Sequence, residues 1–206
     1  MISAAKTLGY ATIGLEEKTE ATSIDVASRL DLNPRNPNEL LQSLRKNRWK
    51  TEVITVSCRS KRVARQAGKD RRVDLITYPV VDKWRDNHLD RQQARLMRDS
   101  GTGYLIDVSQ LLTSDSVLLR KRIEYIERNK DNAVKRGVPV VASSFASTVW
   151  GLREPYGLAA LLSLLDVDEE HALDMVSTNP HRIVEENRAK LKDSYIVQGV
   201  WVIEDE

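Results

Sequence analysis

Four short runs set the terms for this chain: Glu52–Ser57 (EVITVS), Val73–Tyr78 (VDLITY), Gly103–Val108 (GYLIDV) and Val138–Ser143 (VPVVAS). A strand with one wet face alternates apolar and polar residues. These runs are almost continuously apolar, so both of their faces must be buried, which a parallel sheet covered by helices provides. Tyr10–Leu15 reads as a further strand and Ile24–Leu32 as a weaker one. The segments between them have helical period. From Ser116 to Arg136, Leu119, Ile123, Ile126, Ala133 and Val134 return about every 3.6 residues, and Gly137 stands where such a helix stops. Asn36 followed by Pro37 is a cap and first-turn pair that opens another helix. Strand and helix in alternation predict βαβ units. Six or seven strands in 206 residues suit a small α/β, TIM-like (β/α) barrel with parallel strands ringed by helices better than a doubly wound sheet, although pattern alone does not separate the two. The chain opens on a helix, Ile2–Leu8, so the barrel strand expected before it is missing. No low-complexity linker or fixed repeat divides the chain, and 1–206 reads as a single barrel domain.

Apolar residues make up 41% of the chain, too many for a disordered polymer. No apolar run approaches the ~20 residues that span a bilayer, and no signal peptide opens the chain. The lone cysteine, Cys58, suits a reducing compartment, and a cytoplasmic protein with no membrane partner is expected. The net charge is only +2 although 30% of residues are charged, so position says more than the total. Arg59, Lys61, Arg62, Arg65, Lys69, Arg71 and Arg72 crowd one segment, opposed there only by Asp70.

The functional face of a β/α barrel lies at the C-terminal ends of its strands. Behind Ser57 come Arg59, Lys61 and Arg62; behind Tyr78 come Lys83, Trp84 and Arg85; behind Ser144 come Trp150 and Arg153. The helix after Asp90 adds Arg91, Arg95 and Arg98 on one stripe. Cationic forks match phosphate oxygens and release counterions, and aromatic rings stack on unpaired bases. Arg59, Lys61, Arg62, Lys83, Arg85, Arg91, Arg95 and Arg153 are therefore candidate RNA contacts, with Trp84 and Trp150 as candidate stacking residues. For the tryptophans, closing the barrel mouth carries more weight than stacking. For the arginines the weight reverses, because three loops agree.

No catalytic constellation emerges. His88, His171 and His181 are the only histidines and form no ligand motif. There is no Gly-rich phosphate loop, and Ser143-Ser144 has no nucleophile-elbow context. Asp82, Asp86, Asp90 and Asp107 could hold a magnesium ion, but capping and pairing with nearby arginines is the weightier reading. No catalytic or metal-binding residue is assigned.

Two stretches carry a resemblance. Arg72–Leu112 and Val138–Asn187 are similar to the archaeal ribonuclease P protein component 3 family. The marks are Val73-Asp74-Leu75-Ile76, Leu96-Met97, Ile106-Asp107 leading to Leu111-Leu112, Ser143-Ser144, Arg153-x-Pro155, Ser177-Thr178-Asn179-Pro180, and Asn33-Pro34-Arg35-Asn36-Pro37. The resemblance implies a barrel related to the polymerase and histidinol phosphatase superfamily without its metal-binding histidines. It implies a protein subunit of ribonuclease P, the ribonucleoprotein that removes the 5′ leader from precursor tRNA. Its partners would be the ribonuclease P RNA and protein component 2, with precursor tRNA met indirectly. No cofactor is expected on this chain, since the Mg2+ ions would sit on the RNA. Arg153 matches a family arginine, Arg91 and Arg95 a basic helix face, and Arg59, Lys61 and Arg62 a basic loop. The competing readings are a free-standing metal-dependent phosphoesterase of the parent superfamily and a structural barrel with no RNA partner.

Overall fold

The runs buried on both faces become the middle of one sheet. A computed structural model describes residues 1–16, 23–80 and 87–192, together with the backbone of two short strands at 195–197 and 200–201. Six strands, β1 (Thr12–Leu15), β2 (Asp25–Leu32), β3 (Val53–Ser57), β4 (Leu75–Thr77), β5 (Gly103–Asp107) and β6 (Val140–Ser143), bond in chain order. Every pairing is parallel. The apolar runs outlast their strands because the run ends are held by turns: the Val73 amide donates to the Asp70 carbonyl, and the Val73 carbonyl accepts from the Thr102 hydroxyl. Beyond them, β7 (Tyr195–Val197) and β8 (Val200–Trp201) pair antiparallel.

The helices are α1 (Ile2–Thr7), α2 (Pro37–Asn47), α3 (Lys61–Lys69), α4 (Arg91–Ser100), α5 (Ser116–Val134), α6 (Pro155–Leu161), α7 (Glu169–Leu173) and α8 (Asn179–Lys190). The Asn36 side chain accepts from the Glu39 amide at the start of α2, as its sequence predicts. After α5 the chain turns out at Gly137, whose φ of 69° suits a residue without Cβ, and the Val138 amide reaches back to the Ala133 carbonyl.

Period-2 alternation separates two apolar layers. Ile54, Val56, Ile76, Tyr104, Ile106 and Val140 face outward onto α2–α6 in the main core. Ala27, Val53, Leu75, Leu105 and Val141 face inward, where Val184 of α8 and the partly buried Ile183 and Phe145 meet them. The end of the sheet where strands begin is locked by charge. Arg48 donates to Asp74 and to the carbonyls of Thr51, Glu52 and Arg72, while Asn187 donates to the Asp74 carboxylate and the Glu52 carbonyl. Arg188 binds Asp25 and Glu52.

The sheet curls but stays open: among the described residues no ladder joins β6 to β1. The Asp25 amide takes the Ala11 carbonyl, so Thr12 and Gly14 turn their backbone groups away from β2. The Tyr104 amide takes the Pro139 carbonyl, so Val140 and Ala142 turn theirs away from β5. The Asn179 side-chain amide meets the Val140 carbonyl at 2.8 Å and covers one end of that edge. Among the described residues no helix is long and apolar enough to cross a membrane.

Candidate nucleic-acid interface

The basic run of the sequence splits into two classes of cation once α3 and α4 pack. Val63, Ala64, Ala67 and Gly68 bury one stripe of α3, and Gln93, Ala94 and Met97 one stripe of α4. That phase turns Lys61 and Arg65 toward α4, where both find Asp90. Arg65 grips both carboxylate oxygens, at 2.6 and 2.8 Å, and Lys61 lies 3.1 Å away. Asp90 also caps α4 by accepting from the Gln93 amide, and Gln93 bonds to Arg65 and to the Ala64 carbonyl. Burial pushes the Asp90 carboxyl up, but the Arg65 fork, the Gln93 amide and Lys61 outweigh it and hold it well below the usual carboxylate range. A Cβ on Gly68 would collide with the Gln93 amide, so glycine is what lets the two helices approach.

The remaining cations stay outside this lock. Arg59, Arg62, Arg91, Arg95 and Arg98 are exposed. Arg59 touches the Asn33 side-chain oxygen at 3.2 Å, and Arg95 has only a 3.8 Å pair with exposed Asp99. No ion pair is recorded for Arg62 or Arg91 among the described residues. Arg59, Lys61, Arg62, Arg91 and Arg95 thus come together on one platform, with their charge available to an outside anion except where Lys61 shares Asp90.

Arg153 and Trp150 lie on the loop after β6. The 3₁₀ turn Val149–Gly151 leaves Trp150 89% exposed, so it closes no barrel mouth. Arg153 folds back on that turn, donating to the Trp150 carbonyl at 3.0 Å and the Leu152 carbonyl at 2.8 Å. Its own carbonyl accepts from the Tyr10 hydroxyl at 2.7 Å, tying the loop to the chain entering β1. It pairs with neither Glu154 nor Asp107 in any recorded contact. The Glu154 carboxylate already caps α6 by accepting from the Gly157 amide, so the helix N-terminus there offers no open anion site. Lys83, Trp84 and Arg85 lie outside the described residues.

A cavity of about 660 Å³ opens between the sheet edges, lined by consecutive residues of β1 and by Val141–Ser144. Its deep wall is apolar, whereas Arg29, Thr55 and Ser143 supply polar groups. The Arg29 guanidinium lies 4.3 Å over the Phe145 ring and also grips Asp31. Phe145 itself has φ of 48°, a strained backbone for an aromatic residue. Sequence reading missed this Arg29–Phe145 brace; the inward phase of Arg29, two residues after buried Ala27, was the available signal. Asp107 is raised by burial against bonds from Ser109 and Gln110, and caps the turn that follows β5. His171 and His181 sit in the first turns of α7 and α8, and His181 also reaches the cavity wall. Among the described residues no three His, Cys, Asp or Glu side chains gather as a metal site.

The fold and sequence have close parallels. A family model described as RNase P subunit p30 matches residues 1–192. Ribonuclease P protein component 3 of Methanosarcina mazei is 27% identical over 215 residues, covering 99% of this chain and 88% of that one. The protein of the same name from Methanosarcina acetivorans is 29% identical, covering 88% of this chain and 74% of the relative. A chain in the cryo-EM structure of archaeal ribonuclease P with mature tRNA superimposes with a TM-score of 0.86, at 22% identity, over 100% of this chain and 94% of that chain.

Proposed function

The chain belongs to the RNase P subunit p30 family and is a protein subunit of ribonuclease P; from that premise we propose that it supports the catalytic RNA through the α3–α4 platform and leaves phosphodiester cleavage to that RNA. The observation that carries this reading is the division of cations: Arg65 is consumed by Asp90, while Arg59, Arg62, Arg91 and Arg95 project from the same rigid pair of helices. Free guanidinium groups held at fixed spacing neutralise phosphates without reordering the protein. Trp150 adds an exposed ring on a turn stapled by Arg153, suited to an unpaired base.

Within the particle the Mg2+ ions belong to the RNA, and the chain needs no cofactor of its own. Protein component 2 is its partner in holding the RNA, and precursor tRNA is met only through the assembled enzyme. The free-standing phosphoesterase has no ligand cluster among the described residues to stand on. Co-purification from cells followed by sequencing of bound RNA tests the assignment. Ribonuclease P RNA is the expected species, and a tRNA-free, RNase P RNA-free preparation that keeps its cellular partners would refute it.

A further inference from the structure

The reading above, on which the following rests, names RNA but not which form of it the platform takes. Helices α3 and α4 follow neighbouring parallel strands, so they run side by side in the same direction. Packed helices lie about 8–10 Å apart. On the outer crest of α3, Arg62, Gln66 and Lys69 follow one another at i, i+4 and i+7, with Arg59 ahead of them; on α4, Arg91, Arg95 and Arg98 repeat that spacing. Seven residues of helix rise about 10 Å. The exposed surface therefore carries two parallel rows of cations, and the trough between them is filled by the Lys61–Asp90–Arg65–Gln93 lock. Among the described residues acid meets the rows only where Asp99 pairs with Arg95 and Arg98. Neither Arg59–Arg72 nor Asp90–Ser100 contains a Phe, Tyr or Trp.

We propose that this face grips a double-stranded stretch of RNA, one phosphate strand along each cation row, and reads no bases. A single strand offers one line of phosphates and needs rings to hold its splayed bases. Here there are two lines of charge and, on the two helices themselves, no ring. An A-form duplex is held by its backbone and shape, because side chains cannot read its deep, narrow groove. The trough suits that role, since its polar groups are already satisfied by one another.

Hydroxyl-radical footprinting of the reconstituted holoenzyme decides the matter, using the wild-type chain and one charge reversal in each row, Arg62→Glu and Arg95→Glu. The wild-type chain is expected to protect riboses on both strands of one stem. Arg62→Glu should expose one strand and Arg95→Glu the other. With free chain and a hairpin of arbitrary sequence, each reversal should weaken binding about tenfold or more and flatten its salt dependence. Protections confined to unpaired nucleotides would overturn the duplex, as would both reversals exposing the same strand. Unchanged protections in both variants, with cleavage still stimulated, would overturn the face while leaving the subunit role intact. A wild-type chain that never joined the particle would overturn the proposed function itself.

Discussion

Replacing Asp90 should separate the two tasks this carboxylate performs. In Asp90→Ala, α4 loses its N-cap, worth about 1 kcal/mol. Arg65 loses both charge-assisted bonds, but Arg65 and Asp90 are 21% and 24% exposed, so water recovers part of that energy. We assign this loss about 1–2 kcal/mol, giving about 2–3 kcal/mol in all. At 2–4 °C per kcal/mol for a chain of this size, the melting temperature should fall by about 5–10 °C. Asp90→Asn keeps a capping oxygen and should lose only about half as much. The sign with pH is fixed as well. The folded carboxyl titrates below its unfolded value of about 3.9, so its contribution is complete above roughly pH 4 and drains away as the pH falls through the depressed folded value. Thermal or urea melts of wild type and both variants between acid and neutral pH read all of this. Losses below about 0.5 kcal/mol, or a gap between wild type and Asp90→Asn that widens on acidification, would refute the lock.

Gly68→Ala should destabilise by about 1–3 kcal/mol in urea melts despite alanine's better helix propensity, because the new methyl group displaces the Gln93 amide from the Ala64 carbonyl. An unchanged or raised midpoint would show that α3 and α4 are not tightly apposed there. Arg153→Ala should weaken assembly with the RNA by roughly 1–3 kcal/mol, with a melting shift of only a few degrees, since it releases the Trp150 turn but no buried ion pair. Intact assembly together with a large loss of stability would place Arg153 in the scaffold alone. Adding saturating protein component 2 should raise the melting temperature, because the open edges of β1 and β6 leave backbone groups for a complex to shield and binding to the native state stabilises by mass action. An identical melting curve would count against that partnership.

The strands were legible because burial on both faces leaves a local mark: each of the four apolar runs contains a strand of the sheet, and the caps at Asn36 and Gly137 depend on residues within one turn of them. The candidate cations were legible only as a crowd. Arg62 and Arg65 look alike in the sequence, and only the packing phase of α3 against α4 leaves one exposed and makes the other a partner of Asp90. The Glu154 cap lies within one turn of the amide it accepts from and was open to the same local reading. Long-range closures such as Tyr10 to Arg153 span 143 residues and leave no periodic trace.

Leader removal from precursor tRNA by a reconstituted archaeal ribonuclease P, assembled with and without this chain, tests the central claim most directly. The complete particle should cleave faster, or at lower magnesium, than the particle lacking the chain, and Arg62→Glu with Arg95→Glu should return it toward the lower rate. The chain alone, freed of RNA, should cleave nothing. Equal rates with and without the chain would contradict its role as a supporting subunit, and chelator-sensitive cleavage by the RNA-free chain would contradict its dependence on a catalytic RNA.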